Sequence, residues 1–85
     1  MIKGKTEKTG ITVYGTTWCP DVARARDYLD KNNIPYVWID IEENADEARL
    51  VEGINDGNRS VPTIIFSDGS ILVEPSNDQL AEKIS

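Results

Sequence analysis

Residues 11–20, Ile11-Thr12-Val13-Tyr14-Gly15-Thr16-Thr17-Trp18-Cys19-Pro20, pass from one kind of local structure to another. Ile11 to Tyr14 is a run of β-branched and aromatic residues, the composition of a strand, and Gly15 closes it. From Pro20 to about Lys31 the period becomes helical. Val22, Ala25 and Leu29 stand three and four residues apart, while Arg24, Asp27 and Asp30 fall on the other faces. Pro20 suits the first helical position, where a missing N–H costs nothing and a fixed φ fits helix entry. The chain's one cysteine, Cys19, thus stands where a strand hands over to a helix, the place at which open α/β sheets usually take ligands.

Outward from this stretch the elements keep alternating. Asn32 and Asn33, which tolerate left-handed backbone, and Pro35 end the first helix. Tyr36 to Asp40 reads as a second strand. Asn44 opens a second helix with Glu47 three residues on, a variant capping box, and Leu50, Val51 and Ile54 are its expected buried stripe. That helix stops at Asn55-Asp56-Gly57-Asn58. Thr63 to Phe66 and Ile71 to Val73 form two more strands, and Asp68-Gly69 between them predicts a type I′ hairpin turn with positive φ at both positions. Ser76 and Gln79 make a capping box for a last helix that packs Leu80, Ala81 and Ile84 inward. The order is β-α-β-α-β-β-α. Strands joined through a helix run parallel and the hairpin adds an antiparallel pair, so the expected α/β fold is a four-stranded mixed sheet flanked by three helices. Residues 1–10 read as a flexible, solvated tail and residues 11–85 as the domain, without repeat or linker.

Composition removes whole classes of function. The 85 residues, 9.5 kDa, allow one core. A formal charge of −6 opposes the counterion release that drives binding to nucleic acid or anionic lipid. There is no histidine, so triads, zinc-protease helices and imidazole-held haem are excluded, and no metal site is expected. A single cysteine rules out an internal disulfide framework and favours a reducing compartment, the cytoplasm. Apolar runs stop at four or five residues, short of the ~20 of a membrane helix, and residues 1–10, with three lysines and no apolar stretch after them, are expected to be neither a signal peptide nor a membrane anchor.

Cys19 at the start of a helix meets unpaired backbone N–H groups and the positive end of the helix dipole, both of which stabilise an ionised sulfur. Asp21 opposes that ionisation if it points the same way, and Arg24 or Arg59 offsets it only by approaching. The blander reading of Cys19 is a small buried hydrophobe. A core cysteine, however, needs neither the preceding Trp18 nor a proline at helix position one. Ser60-Val61-Pro62-Thr63 is the second feature. Proline before a strand belongs at its start, and a cis Val61–Pro62 bond would turn the N–H and C=O of Val61 outward to accept an extended substrate backbone. An ordinary trans proline ending a loop is the commoner case for any single bond.

Residues 11–20 as quoted, then Ile34-Pro35-Tyr36, Ile39-Asp40-Ile41, Ser60-Val61-Pro62-Thr63, and Asp68-Gly69 through Glu74-Pro75-Ser76, resemble the glutaredoxin family, above all its small actinobacterial mycoredoxin-like branch. The resemblance covers nearly all of the chain after Gly10, with the features in family order. It implies a thioredoxin fold, a cis proline at Pro62, and thiol–disulfide exchange with a low-molecular-weight thiol, glutathione or mycothiol, as co-substrate and with no permanently bound cofactor. It also implies Cys19 as nucleophile, with Thr16, Trp18, Pro20 and Asp21 near the sulfur. Arg59, Val61 and Pro62 would lie along the substrate backbone, and Ser76 and Asn77 at the thiol's carboxylate. Plain capping competes for Ser76, and a solvated loop charge for Arg59.

Three features depart from the family pattern. Val22 stands where dithiol members carry a second cysteine, the lysine often found just before the active-site loop is absent, and Val73-Glu74 replaces a Gly-Gly pair. A lone thiolate with an external thiol can still resolve a mixed disulfide, since each exchange needs only an attacking sulfur, a disulfide and a leaving thiol. The leading expectation is therefore a monomeric monothiol oxidoreductase acting on oxidised protein clients. An iron–sulfur carrier of the single-cysteine type is the alternative, which Pro20 disfavours because cluster-binding relatives usually have glycine after the cysteine. A redox-inactive binding module, suggested by Asp21 and Val22, is the third reading.

Overall fold

A computed structural model describes residues 10–84. Apart from Gly10, the expected N-terminal tail lies outside the described residues. The elements run β1 (Thr12–Gly15), α1 (Pro20–Lys31), β2 (Val37–Asp40), α2 (Ala45–Ile54), β3 (Thr63–Ile65), β4 (Ile71–Val73) and α3 (Asn77–Ile84). Each expected strand is found to within a residue at either end. The sheet order is β2-β1-β3-β4, with β1 and β2 parallel and the other two pairings antiparallel. The predicted order and mixed sheet are the observed ones.

Side chains on a strand alternate between faces, and here the alternation sorts the core into two layers. On one face Ile11, Val13, Ile64 and Phe66 pack with Ala25 and Leu29 of α1 and Leu80 of α3. On the other, Tyr14 packs with Ile41 and with Ala48 and Val51 of α2. Val13, Leu29, Ile64 and Leu80 have no exposed surface, and each such burial stabilises by roughly 1.5–3 kcal/mol. Val22, Ala25 and Leu29 form the buried stripe of α1 that their spacing predicts. The helix ends with Asn33 at φ 56° and the Ile34 N–H donating to the Leu29 carbonyl at 2.9 Å. No helix among the described residues is long and apolar enough to cross a membrane.

Three local expectations fail. Asn44 is the N-cap of α2, but its side chain makes no capping bond. Its amide donates instead to the Asp40 carbonyl at 2.8 Å, across the turn that joins β2 to α2. Of the expected stripe of α2 only Val51 is buried, together with Ala48 three residues before it on the same face, while Ile54 is half-buried and Leu50, which falls off that face, is exposed. The β3–β4 turn is not type I′, because of the Asp68-Gly69 pair only Gly69 has positive φ, at 89°. The Gly69 N–H donates to the Phe66 carbonyl and the Phe66 N–H to the Ser70 carbonyl, both at 2.9 Å. Three residues thus span the hairpin, so a single left-handed glycine suffices.

Candidate active site

Gly15 decides how closely α1 approaches the sheet. A Cβ there would lie 2.8 and 2.9 Å from the two γ-carbons of Val22 and 3.1 Å from the Trp38 ring. With no Cβ present, the first turn of α1 sits directly against the end of β1. Cys19 consequently falls at the N-cap, in extended backbone (φ −83°, ψ 122°), and its carbonyl accepts the Ala23 N–H at 3.1 Å. Pro20 occupies the first helical position. The Cys19 thiol is free and half-exposed, not sealed in the core. Val22 is buried, so the position three residues on is filled by packing.

Side chains that neighbour Cys19 along the chain take partners from other elements. Thr16 is buried, and its Oγ1 has no hydrogen-bond partner among the described residues. Trp18 is 68% exposed, and its indole N–H donates to Glu42 Oε2 at 2.9 Å. Asp21 pairs with Arg24, whose Nη2 lies 3.4 Å from Oδ1. Arg24 Nη1 also donates to the Pro75 carbonyl and to Asn77 Oδ1, each at 3.2 Å. An exposed pair of this kind contributes little to stability. Its effect is geometric, since one guanidinium ties the first turns of α1 to the start of α3. The approach of Arg24 to Asp21, left open by sequence, is realised.

The second wall enters through sheet register. Tyr14 pairs with Thr63, so the residues before Thr63 lie at the same end of the sheet as Gly15 and Cys19. The Val61–Pro62 bond is cis. The Pro62 carbonyl accepts the Glu74 N–H at 2.8 Å, which holds the chain leading into α3 beside the proline. Among the described residues the N–H and C=O of Val61 have no hydrogen-bond partner, leaving an open backbone edge of the sort an extended chain can pair with.

Thr16, Trp18, Cys19, Pro20, Asp21, Val61, Pro62 and Asn77 therefore share one end of the sheet. Two of the expected residues are engaged elsewhere. Arg59 pairs with Glu52 of α2, from Nε to Oε2. Ser76 spends both its groups on its capping box: its N–H donates to Gln79 Oε1 at 2.8 Å and its Oγ accepts the Gln79 N–H at 3.1 Å. Sequence reasoning overlooked Glu42 altogether, because nothing in spacing links it to Trp18, and it did not foresee the contacts of Arg24 with Pro75 and Asn77. A hollow of about 250 Å³ lined by Ile11, Ile34, Phe66, Asp68, Lys83 and Ile84 lies at the opposite strand end, remote from Cys19.

Comparison with known proteins bears on this geometry. The family model described as Glutaredoxin matches residues 11–71. A Mycobacterium tuberculosis protein bearing the glutaredoxin name is 43% identical over 74 residues, covering 87% of this chain and 88% of that one. Mycoredoxin 1 of Corynebacterium glutamicum is 34% identical over 76 residues, 89% of this chain and 94% of its own. Among solved structures, the thioredoxin-like protein BC3987 superposes with a TM-score of 0.74 at 25% identity, over 85% of this chain and 96% of that one.

Proposed function

The chain belongs to the glutaredoxin family and has a thioredoxin-like fold, and on that footing we propose that it is a monothiol thiol–disulfide oxidoreductase, reducing mixed disulfides between proteins and a low-molecular-weight thiol. The observation that carries this reading is the free, half-exposed thiol of Cys19 at the N-cap of α1, with buried Val22 in place of a second sulfur. The thiolate is the attacking species in an exchange of this kind. Cys19 attacks the sulfur contributed by the small thiol. A bond forms between the two sulfurs, the original disulfide breaks, and the client's sulfur leaves with the electron pair and takes up a proton. A second small thiol, as its thiolate, then attacks the Cys19-bound sulfur. This releases the small-thiol disulfide and regenerates Cys19, so one mixed disulfide is reduced as one free small thiol is oxidised, the product disulfide carrying that sulfur and the one first bound to the client.

The open backbone of Val61 is suited to align the client or thiol chain, and Trp18 and Pro20 flank the sulfur. The ion pair with Arg24 gives Asp21 a cationic partner, which weakens the ground for a redox-inactive module. Mycothiol is the preferred co-substrate over glutathione on the likeness to Mycoredoxin 1. A single cysteine suits a cytoplasmic monomer that needs no internal disulfide. The test is the rate at which wild type and Cys19→Ser release the peptide's thiol from a mixed disulfide between the small thiol and a client peptide, with the reduced small thiol in excess. Activity confined to the wild type is the expected result, and equal rates overturn the assignment.

A further inference from the structure

The loop ahead of the nucleophile is pinned by a residue from another part of the chain. Trp18 directly precedes Cys19 and leaves 68% of its surface in solvent, a large exposure for an indole. An exposed ring of that size would ordinarily sample several rotamers, and ordering it costs conformational entropy. Here its N–H donates to Glu42 Oε2 at 2.9 Å, a charge-assisted bond to a residue 24 positions away. Glu42 is itself held. Its backbone N–H donates to Asp40 Oδ1 at 2.9 Å, and the next N–H, of Glu43, donates to the Asp40 carbonyl at 3.1 Å. Asp40 ends β2 opposite Gly15 of β1, and the Ile41 N–H donates to the Gly15 carbonyl at 3.0 Å. The two loops thus leave neighbouring parallel strands at the same edge, and the indole–carboxylate bond closes the gap between them.

We propose that Glu42 is a positioning residue for exchange at Cys19: its carboxylate holds the Trp18 ring as a fixed apolar wall beside the sulfur, against which the incoming mixed disulfide packs. The role rests on the function proposed above and adds to it a determinant of substrate binding. A wall ordered in advance spares the substrate the cost of ordering it on arrival, so the effect belongs in substrate binding more than in the sulfur chemistry. Glu42 touches neither the sulfur nor the substrate and acts only through Trp18.

The test uses the full chain and a mixed disulfide between the small thiol and a cysteine-containing peptide. Glu42→Ala, Glu42→Gln, Trp18→Phe and the Glu42→Ala/Trp18→Phe double variant are compared with wild type. Glu42→Ala raises KM by about three- to tenfold, the scale of one ordinary hydrogen bond, since this one is exposed to solvent, with a smaller change in kcat. Glu42→Gln, which keeps an oxygen acceptor, recovers most of that loss. In the Trp18→Phe background, which has no indole N–H, Glu42→Ala adds nothing. With Trp38 replaced by Phe so that Trp18 is the only tryptophan, and with excitation at the red edge where tyrosine does not absorb, Glu42→Ala lowers the steady-state anisotropy of Trp18. An unchanged KM or anisotropy in Glu42→Ala, or an equal effect in the Trp18→Phe background, overturns the positioning role alone while wild type turns over normally. A wild type that releases no thiol overturns the proposed function and this role with it.

Discussion

Gly15 at the end of β1 and Val22 in the first turn of α1 are in direct contact: a Cβ on the glycine would stand 2.8 Å from one γ-carbon of the valine and 2.9 Å from the other. Both γ-carbons belong to a short, branched, buried side chain that cannot swing aside. Gly15→Ala is expected to destabilise by about 1–3 kcal/mol through overpacking. Val22→Ala removes buried methyl groups and leaves a void, costing a similar amount, about 1–3 kcal/mol. The double variant loses less than the sum, since the new methyl group occupies the vacated space. Equilibrium unfolding in urea measures all three, and strict additivity contradicts the contact.

The hairpin carboxylate of Asp68 predicts a defined acid response. Its carboxyl is held well below the ordinary carboxylate range, chiefly by the bond from Lys83 Nζ at 2.8 Å, then by the Ser70 hydroxyl at 2.6 Å and the Ser70 N–H at 2.9 Å. A lowered folded-state value means that the contribution is present in full above the unfolded value, about pH 4, and is lost as pH falls toward the folded one. The stability gap between wild type and Asp68→Asn is therefore constant from pH 5 to neutrality and narrows below about pH 4. A gap that widens on acidification contradicts this ion pair.

Tyr14 predicts the opposite limb. Burial against α2 raises its phenol above the ordinary value, and the nearby charge of Glu47 adds to the effect. A raised value keeps the folded phenol neutral after the unfolded one has ionised, so stability falls as pH climbs past the unfolded value, about pH 10. In Tyr14→Phe this alkaline loss is reduced. Chemical denaturation between pH 8 and 11.5 shows it as a wild-type curve that declines more steeply than the variant's. Parallel curves remove the assignment.

At the start of α3 the reciprocal bonds of Ser76 and Gln79 predict coupled losses. Ser76→Ala leaves the Gln79 N–H without its cap and costs about 0.5–2 kcal/mol. Gln79→Ala costs less, because the exposed Ser76 N–H can turn to water. The pair together loses less than the sum of the two. Thermal melts of the three variants check this, and a neutral Ser76→Ala refutes the cap.

Much of the fold is legible residue by residue. Val22, Ala25 and Leu29 lie on the buried face of α1 because a three-and-four spacing has one physical outcome when a sheet lies beside it. Asn44-x-x-Glu47 and Ser76-x-x-Gln79 carry the same pattern, yet only the second forms a capping box. The difference is the Asp40 carbonyl, which the turn between β2 and α2 presents to the Asn44 amide four residues on. Leu50 fails for a different cause, since it falls off the face that carries Ala48 and Val51.

The local alphabet by itself determined the order of elements, the mixed sheet and the placing of Cys19 at a helix start, because these depend on side-chain period, proline geometry and turn residues within a few positions of one another. Only the tertiary structure decided which partners the residues on either side of that cysteine take. The Arg24 guanidinium reaches Asn77 across 53 positions and the Trp18 indole reaches Glu42 across 24, bonds that exist because strand register carries distant loops to one edge. Neither distance has a period, so pairings of this kind leave no trace in the order of residues and emerge only once the backbone has closed.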